Sequence, residues 1–212
     1  MLSKKEMTIV ALAIVLMTLV ISFSKGELKI EKVLLYFLFS LIILLLSVFA
    51  KKIIARVINV EIEQNFWQWQ RYGLAKRSYF KRPIPLGLIL PAFLSIISLG
   101  AIKAFCFLQF TAKALPSKVV KKYGAKRFSG IMEWDDALIV FYSVIPLLAL
   151  ALLSRIIALS ETIELSKITI YYVIWNLIPI SNLDGTKLFF GSRPLFIFTW
   201  ILALISTLIV LF

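Results

Sequence analysis

Long apolar runs interrupt this sequence so often that they restrict its fold more than any motif does. Residues 7–23, 33–50, 86–110 and 195–212 are nearly free of charge, and shorter apolar stretches fill 137–153 and 168–178. A hydrocarbon layer of about 30 Å takes roughly 20 residues to cross as a helix. Of the 212 residues, 61% are hydrophobic, whereas a soluble domain is nearer half apolar. The expected fold is therefore an all-α polytopic membrane protein with five or six transmembrane helices, forming a single integral membrane domain over residues 1–212. The expected location is the cell membrane, as a multi-pass protein. The run at 7–23 is longer than the usual hydrophobic core of a signal peptide, about 7–15 residues, and reads as an uncleaved first helix.

The formal charge of +13 would suggest nucleic acid as the partner of a soluble chain. Here the basic residues gather between apolar runs, as in KRSYFKRP (76–83) and KVVKKYGAKR (118–127). Juxtamembrane charge of this kind orients helices and touches anionic lipid, so the bilayer is the expected partner and nucleic acid is not. The basic residues divide almost evenly between the two sides, and orientation does not follow from them. Cys106 is the one cysteine, which excludes an intramolecular disulfide, and there is no histidine.

The periodicity changes after the second run. Lys51, Lys52 and Arg56 alternate with Ile53, Ile54 and Val57 at helical spacing, so this helix should continue past its apolar part. In VINVEIEQ (57–64), Ile58, Val60 and Ile62 alternate with polar residues, which predicts a strand: a small β element after the second helix. The segment 86–110 is either a span kinked at Pro91 or a segment that enters the membrane and turns back. Asp135 or Asp136 is expected to cap a helix running to about 153, kinked at Pro146. Residues 154–167 read as an amphipathic connector, Pro179 ends the span begun at 168, and Ser192 and Pro194 look like a cap and a first-turn proline.

Within NLIPISNLDG (176–185), Asn176, Pro179, Leu183, Asp184 and Gly185 resemble the N-x-x-P-x-x-x-L-D-G motif of the site-2 proteases, intramembrane zinc metalloproteases. The run through GTKLFFGSRPL looks most like archaeal members, and the resemblance covers about residues 33–212. It implies that Asp184 corresponds to the third zinc ligand and Asn176 to a residue that helps bind substrate backbone or oxyanion. The family's other two ligands and its base come from H-E-x-x-H, in which the two histidines share one helix face. Relatives follow that motif with a segment resembling K-F-V-A-R, an alternating strand and a tryptophan. KIIAR (52–56), VEIE (60–63) and Trp67 stand here in that order. Counting back puts Ser47, Val48 and Lys51 where histidine, glutamate and histidine would be. An ammonium donates and has no lone pair to give a metal. The expectation is a degenerate former active site comprising Ser47, Val48, Lys51, Asn176, Pro179, Asp184 and Gly185. It has no catalytic residue, no metal and no zinc cofactor.

Two readings of Asp184 stay open at this stage. It caps a short helix beginning near Thr186, or it pairs with Lys51, one cation standing where the family keeps another. The resulting functional reading is a catalytically inactive relative that retains binding of a transmembrane or extended partner segment. Ile58, Val60 and Ile62 are the candidate partner-binding strand, since an open sheet edge takes up an extended chain. The alternatives are an accessory subunit or transporter-like component of a membrane complex, and an active protease with a Ser47–Lys51 dyad.

Overall fold

In the computed structural model of the chain, the described residues are 3–24, 27–28, 30–71, 79–114, 133–157 and 159–212. Among the described residues, seven α-helices carry the fold: α1 (Lys4–Ser22), α2 (Val33–Val57), α3 (Leu86–Ile97), α4 (Glu133–Ile157), α5 (Ser160–Leu177), α6 (Asp184–Gly191) and α7 (Arg193–Leu211). Strands β1 (Phe23–Ser24) and β2 (Glu27–Leu28) form a short hairpin before α2. Strand β3 (Val60–Phe66) pairs antiparallel with β6 (Leu108–Ala114), and β4 (Trp69–Arg71) with β5 (Tyr79–Ile84). Four helices are long and apolar enough to cross a membrane among the described residues: α1, α2 with the turn before it, α4 and α7. The protein is thus mostly helical, with small sheets. The basic loop at 118–127 lies outside the described residues.

Several expected boundaries move, each for a local reason. The segment 86–110 is not one long helix. At 12 residues α3 is about 18 Å long, too short to cross a hydrocarbon layer of about 30 Å. It ends in a Schellman turn, with Gly100 N–H donating to the Ser95 carbonyl and Leu99 N–H to the Ile96 carbonyl. Leu99 takes the left-handed conformation, φ 51°, that such a turn needs. The rest of the run, residues 104–107, is buried, non-helical chain that leads into β6.

The strand predicted from 57 begins at Val60, because α2 continues to Val57. Asn59 closes that helix in the left-handed conformation, φ 56°, donating to the Arg56 carbonyl. Ile58 is therefore the helix cap and not a strand residue. Residues 154–167 are not a connector, since α4 runs to Ile157 and α5 starts at Ser160. Asp135 and Asp136 lie inside the first turn of α4 rather than before it. Ser192 does cap α7, its hydroxyl accepting from Leu195 N–H.

Helix α4 packs against α2, α5, α6 and α7, and α1 lies against α2 and β3. The core runs through Ile43, Leu44, Ile139, Val140, Val173 and Leu177, all nearly inaccessible. Outward-facing residues of α7 are almost entirely aliphatic or aromatic, including Ile201, Leu204, Ile205 and Leu208, as suits a helix facing hydrocarbon.

Candidate functional site

Ser47 and Lys51 lie one turn apart on α2 and face inward, with Val48 beside them in the core. Opposite, Pro179 cannot donate to an intrahelical bond, so α5 ends at Leu177 and the chain turns through Ser181, φ 53°, into α6. Gly185 sits where this turn presses on the end of α5. A Cβ there would come within 2.1 Å of the Leu177 carbonyl oxygen, so no larger residue fits. That contact sets Asp184 at the first position of α6, 4% exposed, with its Oδ2 paired to the Lys51 ammonium. The N-terminal end of the helix favours the carboxylate there. Asp184 does not cap a helix beginning at Thr186: Leu183 is the N-cap residue, and no side chain caps α6.

Hydrogen bonds tie the neighbouring segments together. The Tyr172 hydroxyl on α5 donates to Ser47 Oγ at 3.2 Å. One turn on, Asn176 Nδ2 donates to the Tyr172 carbonyl at 2.8 Å and to the Phe105 carbonyl at 3.0 Å. Asn176 thus fastens the chain before β6 to the end of α5. Phe110 of β6 lies against two cations, with its ring centroid 5.6 Å from Lys51 Nζ and 3.4 Å from Lys187 Nζ. Lys187 Nζ also donates to the Phe110 carbonyl at 2.6 Å and pairs with Asp136 Oδ2 at 3.3 Å.

The structure brings together Ser47, Lys51, Asn176 and Asp184, with Gly185 and Pro179 shaping the turn between them. It also adds residues that sequence reasoning missed. In sequence, Lys187 reads only as a loop charge and Asp136 only as a helix cap. The one signal that could have found Lys187 is its spacing from Asp184, three apart on one short helix. Lys51, Lys187, Asp136 and Asp184 together balance in charge. Asp184 Oδ1, Asp136 Oδ1 and Thr186 Oγ1 are buried without a hydrogen-bond partner. A cleft of about 190 Å3 opens between the start of α4, at Glu133 and Asp136, and Thr186 and Lys187 of α6.

The donor set does not fit zinc, which takes about three nitrogen, sulfur or carboxylate ligands and an open position. No group of three or more histidine, cysteine, aspartate or glutamate residues converges among the described residues, and an ammonium occupies the inner side of Asp184. Cys106 is buried among apolar neighbours, which push its thiol up to about 12.

The candidate partner-binding strand turns its apolar side chains inward. Val60 and Ile62 point into the core, at 1% and 3% exposure. On the edge of β3 away from β6, Glu6 Oε1 accepts from Gln64 N–H at 3.0 Å, while its Oε2 pairs with Lys52 at 2.8 Å. An extended partner pairing at Gln64 would have to displace Glu6 of α1.

In comparisons with known proteins, no protein-family model, curated protein or solved structure matches this chain.

Proposed function

We propose that this chain is a multi-pass membrane protein on a site-2-protease-like scaffold that neither holds zinc nor cleaves peptide bonds, and that it serves by holding a membrane-embedded partner segment. The observation that carries this reading is the buried ion pair between Lys51 and Asp184. The lysine occupies the inward face of a long apolar helix, and the aspartate belongs to the broken-helix motif that resembles the protease family's third ligand. A carboxylate away from water needs a cation beside it, and the ammonium supplies one without metal chemistry.

The same geometry counts against a serine–lysine protease. Such a dyad needs the amine as a base for the hydroxyl. Here the amine is held by Asp184, and the hydroxyl of Ser47 accepts from Tyr172. An extended partner at β3 would have to compete with Glu6 for the Gln64 N–H. The partner on this reading is a transmembrane segment.

The test is metal analysis of the purified protein beside an assay for cleavage of a membrane-embedded substrate. The expected result is zinc far below one ion per chain and no cleavage. One zinc per chain, lost together with cleavage in Asp184→Ala, would overturn the reading.

A further inference from the structure

Ion pairs and hydrogen bonds sort the ends of the long helices into two groups. At one end of the bundle, Lys32 just before α2 pairs with Glu164 of α5 at 3.1 Å. Arg155 in the last turn of α4 donates to the Phe212 carbonyl, just past α7, at 3.2 Å. The chain passes from α4 at Ile157 to α5 at Ser160, so these two contacts share one end. At the other end, Glu6 in the first turn of α1 pairs with Lys52 of α2 at 2.8 Å and accepts from Gln64 N–H of β3. Helix α6 joins the end of α2 to the start of α4, through Asp184 with Lys51 and Lys187 with Asp136. It leads directly into α7. The start of α1, the end of α2, the start of α4 and the start of α7 therefore lie together.

This grouping fixes the parity of the crossings. The chain leaves α2 and enters α4 at the same end of the bundle. However deep the segment 86–110 dips, it goes in and comes back, and α3 is too short to cross alone. Were 86–110 a single span, the run KVVKKYGAKR (118–127) would fall opposite the start of α1, and the two sides would balance. The observed parity moves that run, with Lys187 and Arg193, to the side of the α1 start, and moves Arg155 and Lys167 away from it.

Basic residues close to span ends are the ones that orient helices. On the side of the α1 start these are Lys4, Lys5, Lys52, Arg56, the five in KVVKKYGAKR, Lys187 and Arg193. On the other side they are Lys25, Lys29, Lys32, Arg155 and Lys167. Leaving aside 69–113, the middle of the excursion, the balance is eleven against five.

We propose that the end of the bundle holding the start of α1, strand β3 and the basic majority faces the cytoplasm, where it meets the anionic headgroups of the inner leaflet, and that the end of α7 lies on the opposite side. Lys51 stands about 9 Å of helix before Val57, so its pair with Asp184 lies toward the cytoplasmic surface. The inference rests on the membrane-spanning reading but not on the metal-free site.

Glu31, Glu61, Glu133 and Glu161 are exposed, and replacing any of them by cysteine leaves every basic residue in place. The test is labelling of cells that express the full chain, each with one such substitution, by a membrane-impermeant maleimide before and after the membrane is opened. The unsubstituted chain, whose Cys106 is buried, is the blank. Glu31→Cys and Glu161→Cys should label in intact cells. Glu61→Cys and Glu133→Cys should label only once the membrane is opened. The reverse pattern, or equal labelling of all four in intact cells, would overturn the orientation. Glu61→Cys and Glu133→Cys labelling from opposite sides would overturn the parity beneath it. A chain that alkali washes from the membrane would overturn the membrane reading and the orientation with it.

Discussion

Replacing Lys51 by methionine keeps most of the side chain's unbranched stem and removes its charge. The pair it breaks is nearly dry, with Lys51 and Asp184 side chains 3% and 6% exposed. Breaking such a pair from one side costs about 3–5 kcal/mol, because the other charge stays buried. The two sides are not equivalent here. After Lys51→Met, Asp184 has lost its ion pair, and its second oxygen already lacks a partner. After Asp184→Asn, Lys51 keeps the Phe110 ring at 5.6 Å, a contact worth about 0.5–2 kcal/mol. Lys51→Met should therefore be the more harmful change, and Asp184→Asn milder by about 1 kcal/mol on that cation–π scale. The double variant carries no buried charge at this point and should be more stable than Lys51→Met alone. The assay is reversible unfolding in mixed detergent micelles, followed by helical circular dichroism, for all four members of the cycle. A coupling energy of at least about 2 kcal/mol is expected for residues in direct contact. Losses that add to within about 0.5 kcal/mol would refute the argument.

Gly185→Ala should destabilise by more than the ~1–3 kcal/mol of ordinary overpacking, since its Cβ meets backbone at 2.1 Å rather than a yielding side chain; thermal unfolding checks this. Asn176→Leu orphans the buried Phe105 carbonyl and should cost roughly 1–3 kcal/mol, read in the same unfolding assay. With its thiol pushed up to about 12, Cys106 should stay protonated at pH 8 and resist a maleimide until the protein is unfolded; rapid labelling of the folded chain would contradict its burial.

The parts legible in the sequence are those that composition or period encodes. Uninterrupted apolar runs announce α1, α2 and α7, and alternation announces β3. Turns are harder. Asn59 and Leu99 end helices through left-handed conformations, and nothing in composition marks a leucine as the residue to adopt one. The apolar run 86–110 misleads for a related reason: a buried extended chain and a buried helix look alike in hydropathy, and only the Schellman turn at 98–100 divides them. The proximity of Lys51 and Asp184 follows from counting along a motif. That of Lys187 and Asp136 does not, because each lies on an element whose packing no local pattern specifies.

The charge balance of the site limits how a metal could be accommodated. Lys51 and Lys187 balance Asp184 and Asp136 in two pairs, and both lysines lie against the Phe110 ring. A divalent ion placed beside Asp184 would meet Lys51 at contact distance and would add two positive charges to a balanced cluster. Removing Lys51 alone leaves the two carboxylates of the cluster at most, fewer donors than zinc takes. Replacing Ser47 and Lys51 together by histidine would put two imidazoles one turn apart on the face of α2 that already meets Asp184. That variant assembles three donors and loses one cation in a single step, so a cobalt absorption band of tetrahedral type is expected from it and not from either single change. A band of equal strength in Ser47→His alone, with Lys51 still in place, would mean that the carboxylate finds other donors, and that the lysine is not what keeps metal out.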